Sequence, residues 1–333
     1  MSRPRTTRQG GAALLTAMLI VTLVASLASA MVWRQYRAVQ IEAAERARAQ
    51  SAWILQGVLD WARLILREDA RANLNEPVDH LGEVWAVPLA EARLSTFLAA
   101  DAHNAEDSGP EAFLSGSLHD AQAQYNLRHL LGGTEVPAQE QRVLERLCDN
   151  VGAPPGTAQT LIRKLRLAAD ASNKDASKTA SADSKNPPLP PRNLEQLAWF
   201  GLTPETIERL RPVLTLLPQN TPVNLNTAPR EVIAALFDGM DLASAERLVR
   251  SRQNQPLKKV QDASSFFPGT VTLSSERVDV KSSYFLVKGR LRLDERVLEE
   301  RALVQRRNLD MLVVERQRVN QVTSATANKG RGA

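Results

Sequence analysis

From Ala12 to Trp33 the chain carries no charged side chain, and from Ala12 to Gln56 it carries neither glycine nor proline. This stretch constrains the fold more than any other. The uncharged residues Ala12–Val32, at about 1.5 Å each, cover roughly the 30 Å hydrocarbon core of a bilayer when helical. Thr16, Thr22, Ser26 and Ser29 are the only polar side chains in it, and a helix satisfies their hydroxyls on its own carbonyls. Arg3, Arg5 and Arg8 stand before the stretch with no acid among them. The positive-inside rule therefore puts the N-terminus in the cytoplasm and the bulk of the chain outside it, with Trp33 and Tyr36 at an interfacial belt.

The helix is expected to continue past the membrane. Gln35, Arg37, Glu42, Glu45, Arg46, Arg48 and Gln50 alternate with alanines, and apolar residues then recur at Trp53, Ile54, Val58, Leu59, Trp61, Ala62, Ile65 and Leu66. That spacing is close to a 3.6-residue period, so the upper half of the helix is expected to pack on a folded domain. The same N-terminus admits a second reading, a secretory signal peptide cut after Ala30 in Ala28-Ser29-Ala30. Against it, the apolar run exceeds the usual signal-peptide core, and no breaker interrupts the helix at the supposed cut.

Composition narrows the function. The 42 basic and 37 acidic side chains leave a net +5. Three of those charges lie in the leader, so the body is nearly neutral and lacks the basic face that phosphate binding needs. A single cysteine, Cys148, forbids an internal disulfide and any CxxC metal or redox motif. It reads as a buried small hydrophobe. The four histidines, His80, His103, His119 and His129, include no pair spaced for zinc. No phosphate-binding glycine loop, GxSxG or dinucleotide fingerprint is present. His119-Asp120 with one of many serines is a chance pairing, read as a strand residue beside a turn residue. Asp170, Asp175 and Asp183 lack calcium-loop spacing and stand among lysines, which reads as a solvated loop. No enzymatic chemistry, catalytic residue or metal ligand is assigned.

Seven segments follow along the chain: a leader over 1–11, a membrane span over 12–33, an amphipathic continuation over 34–74, the first part of a β domain over 75–131, an α-helical domain over 132–276, C-terminal strands over 277–318 and a disordered tail over 319–333. Phe113, Ser115, Ser117 and His119 alternate with Leu114, Gly116 and Leu118, a strand signal, with Asp120–Gln124 turning into Tyr125-Asn126-Leu127. Helices are expected around Ala138–Val151 and Thr157–Ala168. A flexible Ala/Ser/Lys and proline-rich loop follows over 170–191. Helical signals return at Asn193–Gly201 and Thr203–Leu217. Two short helices joined at Asp238-Gly239 come next, with Asn226 or Thr227 as N-cap and Pro229 in the first turn. Strands close the chain around Val278, Tyr284–Val287, Leu291 and Leu303-Val304, with a turn near Asp294-Glu295. The outline is an α+β fold in which a helical domain containing a helix-hairpin-helix-like element is inserted into an antiparallel sheet.

The leader, the Gly11/Ala12 junction and the long helix resemble type II secretion pseudopilins and type IV pilins. Within that group "LGEVWAVPL" at 81–89, "LHDAQAQYNLRHL" at 118–130, "GLTPETIERLRPVLTLLP" at 201–218, "VNLNTAPREVIAAL" at 223–236 and "SSYFLVKGRLRL" at 282–293 resemble the K-type minor pseudopilin family. The resemblance implies a pilin-like sheet, cleavage by a prepilin peptidase after Gly11 and N-methylation of Ala12. It implies an inner-membrane subunit at the pseudopilus tip that initiates assembly with the I- and J-type minor pseudopilins, followed by the H-type and the major pseudopilin, on the inner-membrane assembly platform. Major pilins generally carry Glu at mature position five. Counted from Ala12, that position is Thr16, which fits a subunit with no neighbour ahead of it, since an unpaired carboxylate in hydrocarbon is costly. Thr16 reads equally as a small tolerated helix residue. Calcium is associated with the family's inserted domain, but the acidic "DWxDxD" and "GAEDxYY" patterns are missing after Leu167, so no ligand is carried over.

Two other functions compete. "VNLNTAPREVIAAL" with "ASAERLVRSR" is similar to the helix-hairpin-helix of membrane-anchored DNA receptors, yet the connection Asp238-Gly239-Met240-Asp241 has one glycine and two acids, which repel phosphate. A signal-peptide-cleaved periplasmic protein is the other.

Overall fold

The computed structural model describes residues 12–94, 112–131, 135–173, 188–269, 271–293 and 296–322. The chain divides into two compact units, Met1–Gln56 and Gly57–Ala333. Helix α1 runs from Ala12 to Ala72. In the first unit it is the only described element, and every residue from Ala12 to Gln50 is exposed.

In the second unit the remaining turns of α1 lie on one face of a five-stranded antiparallel sheet. The strands are β1 (Leu89–Arg93), β2 (Ala112–Asp120), β7 (Tyr284–Leu293), β8 (Arg296–Arg307) and β9 (Asp310–Val322), and they stand side by side in that order. Leu59, Ala62 and Leu66 of α1 form one helical stripe. It packs with Leu118, Phe285, Val287, Ala302, Val304 and Met311 of the sheet and with Trp85. Trp85 meets Phe285 edge-on at 5.3 Å between ring centres. The buried stripe is narrower than the sequence periodicity suggests, since Trp61 points to solvent. Gly116 explains how helix and sheet approach so closely. A Cβ there would lie 3.3 Å from Val58 Cγ1 and 3.4 Å from the Lys288 carbonyl.

Between β2 and β7 the chain builds a helical body: α2 (Ala138–Asn150), α3 (Thr157–Asn173), a 3₁₀ segment Leu194–Phe200, α4 (Pro204–Leu210), α5 (Arg230–Leu236) and α6 (Leu242–Asn254). Its core gathers Leu144, Leu147, Leu161, Leu197, Ile233 and Leu248. Two short parallel ladders fasten it. Tyr125-Asn126 (β3) pairs with Leu214-Thr215 (β4), and Val223-Asn224 (β5) pairs with Val278-Asp279 (β6). Tyr125, Leu127 and Leu130 belong to this helical core, although the sequence reading puts them in the sheet segment 75–131. Sheet and insertion share one compact unit.

Several boundaries differ from expectation for physical reasons. Helix α3 runs on to Asn173, because Ala168, Ala169 and Ala171 favour helix; residues 174–187 of the expected loop lie outside the described residues. The helix expected over Thr203–Leu217 stops at Leu210, since Pro212 cannot continue it. Helix α5 begins at Arg230 with Pro229 as its cap residue and no side-chain cap; Asn226 and Thr227 make other bonds. Strand β9 extends through Val322 rather than yielding a tail at 319. Its arginines are satisfied inside the sheet, where Arg316 and Arg318 both pair with buried Glu300. The turn at Asp294-Glu295 lies outside the described residues.

β9 is a long outer strand, and three devices blunt its edge and the turn that leads into it. Arg63 Nε donates to the Met311 carbonyl at 2.9 Å and Arg67 Nε to the Leu309 carbonyl at 3.1 Å. A bulge at Val314 shifts the register between Leu303↔Glu315 and Val304↔Val313. Replacing Gly116 with leucine is expected to wedge α1 away from the sheet and cost about 1–3 kcal/mol, read from urea unfolding of the full chain in detergent.

Candidate functional site

The N-terminal candidates come first. Gly11 lies outside the described residues. Ala12 is the first described residue of α1. The Thr16 hydroxyl donates to the carbonyls of Ala12 and Ala13 at 3.1 and 3.0 Å, Thr22 to Leu19 at 2.9 Å and Ser26 to Leu23 at 2.8 Å. These hydroxyls are therefore satisfied within the helix. One window of α1 has a mean hydropathy of 2.2, and the helix is long and apolar enough to cross a membrane.

The most organised polar site lies where sheet and insertion join. Asp120, at the end of β2, is buried. Its Oδ2 accepts from Thr227 Oγ1 at 2.5 Å, Ser282 Oγ at 2.6 Å and Asn224 Nδ2 at 3.0 Å, and its Oδ1 accepts from the Gln122 amide at 2.7 Å. Asn224 Nδ2 also reaches the Asp79 carbonyl, and the Ser282 amide donates to Asp79 Oδ2 at 2.7 Å. Arg306 of β8 joins Asp79 to Asp69 of α1, with its Nη1 2.9 Å from Asp69 Oδ2. Four of the stretches singled out in the sequence meet here: Asp120 from "LHDAQAQYNLRHL", Asn224 and Thr227 from "VNLNTAPREVIAAL", Ser282 from "SSYFLVKGRLRL", and, alongside, Glu83 and Trp85 from "LGEVWAVPL". Asn226 is buried too and brackets Leu257 through both its backbone groups at 2.9 Å. The polar residues of these stretches hold the fold together.

Burial raises the Asp120 carboxyl to about 6, against the lowering effect of its Ser282 and Thr227 hydrogen bonds; the nearby Asp79 charge adds to the rise. Asp69 is also raised to about 6, first by burial and then by Glu83 and Asp79, with Arg306 opposing. His119 is not part of this site. Its Nε2 lies 3.0 Å from Ser117 Oγ, on the opposite sheet face from Asp120, so the three form no catalytic relay. Burial pushes the Cys148 thiol up to about 12, which leaves it inert at neutral pH.

Asp69, Asp79 and Glu83 bring carboxylate oxygens within 4.8 Å of one another, an arrangement that invites a calcium test. The oxygens are already committed. Arg306 holds Asp69 and Asp79, while Glu83 accepts from the His80 amide at 2.9 Å, Trp85 Nε1 at 2.6 Å and Asn73 Nδ2 at 3.0 Å. A divalent ion would have to displace the guanidinium, so these residues do not fit calcium.

The helix-hairpin-helix-like element is α5 and α6 joined through Gly239 at φ 79°. Asp241 caps α6 by accepting from the Ser244 amide at 2.6 Å. It thereby fills the helix N-terminus where a phosphate would sit. Asp238 pairs with Arg142 and Arg146, Arg230 and Arg250 pair with Glu246, and Arg252 is buried against the carbonyls of Leu225 and Ala228. The element is a packing unit.

Because the folded Asp120 carboxyl titrates above its unfolded value, the stability tied to its protonated form is present at low pH and is lost as pH rises through about 6. The full chain is expected to gain on the order of 1 kcal/mol from this group between pH 7 and pH 5. Denaturant unfolding at both pH values checks this: Asp120→Asn removes that increment, whereas the contribution of Asp69 remains.

Comparison with known proteins agrees with this architecture. Two family models described as type II secretion system (T2SS), protein K match residues 123–219 and 223–281. The type II secretion system protein K of Pseudomonas aeruginosa is 28% identical over 267 residues, 76% of this chain and 75% of the relative. Those of Pectobacterium carotovorum and Klebsiella pneumoniae are 25% and 28% identical, each covering 93% of this chain and 96% of the relative. A chain from the crystal structure of the GspK-GspI-GspJ complex of the enterotoxigenic Escherichia coli type 2 secretion system shares the fold, with a TM-score of 0.59 and 20% identity over 84% of this chain and 99% of that one. Over these stretches, and with its curated relatives over most of its length, the chain is similar to the type II secretion system protein K, the K-type minor pseudopilin.

Proposed function

We propose that the chain is the tip subunit of a type II secretion pseudopilus, held in the inner membrane by α1 with its N-terminus in the cytoplasm and its folded body in the periplasm. The observation that carries this reading is one uninterrupted helix whose first part is apolar and fully exposed and whose last turns form the core of a sheet domain. Such a helix anchors and assembles; it does not catalyse. A prepilin peptidase cuts after Gly11, and Ala12 becomes the methylated N-terminus.

Assembly starts with the I- and J-type minor pseudopilins, an expectation supported by the fold shared with the GspK-GspI-GspJ complex. The H-type and major pseudopilins and the inner-membrane assembly platform follow. Thr16 supports the tip position: a subunit with nothing ahead of it gains nothing from a carboxylate there, and its hydroxyl is satisfied within the helix. No bound metal or nucleic acid is needed for this role.

Mass spectrometry of the mature chain is expected to find N-methylated alanine at Ala12; a mature N-terminus at Met31 would mean a secreted protein instead. Deleting the chain is expected to abolish release of secreted enzymes across the outer membrane while they still accumulate in the periplasm, measured as activity in medium and periplasmic fractions.

A further inference from the structure

The sheet face turned away from α1 holds a charge arrangement that the fold itself leaves incomplete. On that face Lys288 of β7 lies directly across from Arg301 of β8, and like charges so placed destabilise a sheet. Arg301 is neutralised, with Nε donating to Glu299 Oε1 at 2.6 Å and Nη1 to Glu195 Oε1 at 3.1 Å. Arg211 is engaged in the same way by Glu195 and Glu208. Lys288 has no ion-pair partner among the described residues. Burial holds its ammonium below the ordinary lysine value, Arg301 and Arg211 reinforce this, and Glu299 and Glu195 oppose it.

Lys288 and Arg301 line a cleft of about 500 Å³ between this sheet face and the insertion. Leu286 and Leu303 of the sheet and Leu194 and Leu216 of the insertion supply aliphatic lining, and Arg192 adds a cation. Arg192 is exposed and has no ion-pair partner among the described residues. A space of this size admits a few residues of extended chain.

We propose that this cleft docks an extended segment of a partner protein in which one carboxylate stands between aliphatic side chains, the carboxylate being received by Lys288. A free anion would satisfy the lysine but leave the leucines without a partner, whereas an acidic residue flanked by aliphatic ones complements both. Association would supply the negative charge that Glu195 and Glu299 cannot share with a third cation. The cleft is separate from the membrane helix, and the inference stands whether or not the subunit occupies a fibre tip.

The test uses the full chain in lipid nanodiscs, panned against a library of short random peptides displayed on phage, with Lys288→Met for counter-selection. Enriched peptides are expected to carry Asp or Glu beside Leu, Ile or Val. As synthetic peptides they should bind Lys288→Met about tenfold more weakly and Arg192→Gln about threefold more weakly. Arg192 is exposed, so its substitution leaves the fold intact and decides the matter if Lys288→Met loses its unfolding transition. The proposal is overturned if no peptide is enriched, if the enriched peptides lack an acidic residue, or if they bind both variants as they bind the parent. It is equally overturned if acetate alone displaces them, which would make the cleft a small-anion pocket.

Discussion

A single buried carboxylate, Asp120, carries the connection between the sheet and the helical insertion. It ends the strand that leads out of the sheet and accepts hydrogen bonds from Asn224, Thr227 and Ser282, which lie where the chain passes through the insertion and returns to the sheet. Burying an acid costs stability, and here four donors, three on Oδ2 and one on Oδ1, offset part of that cost. The insertion therefore cannot be displaced without exposing that acid's partners, and sheet and insertion behave as one unit despite having separate hydrophobic clusters. Arg306 extends the connection to α1 through Asp79 and Asp69, so the helix, the connecting segment and β8 share one charge network.

This explains why polar residues sit inside otherwise apolar sequence stretches. Asn126 accepts from the amides of Arg128 and Leu217 while donating to Gln219 and Thr221. Gln122 accepts from the Ser283 amide and donates to the Pro222 carbonyl. Each takes the place of a backbone partner that short two-residue ladders are too small to provide. Removing one partner leaves the other buried and unpaired, which is where such sites are least tolerant.

The elements readable from sequence were those with a sustained period. Helix α1 has no breaker over its apolar run, β2 alternates from Phe113 to His119, and α5 and α6 are marked by Pro229 and Gly239. What escaped is non-local. The pairing of Tyr125 with Leu214 and of Val223 with Val278 joins segments far apart in the chain, and two-residue strands leave no periodic trace. The sequence reading ends the strands at 318 because the residues beyond it are polar, and only the register shows Arg316 and Arg318 meeting Glu300. The roles of Asp120, Asn224 and Ser282 were hidden for the same reason: each looks like a turn residue until their side chains converge. The cleft was illegible because Lys288 and Arg301 become neighbours only once the β7–β8 register is known.

The internal bonding of Thr16, Thr22 and Ser26 to the preceding turn has a consequence for selectivity. In a bilayer, a rod whose hydroxyl protons are already donated to its own carbonyls would draw little on hydrogen bonding to recruit a companion. Were such a rod to gather companions in a bilayer, the selectivity would reside in shape or in the part that projects into water.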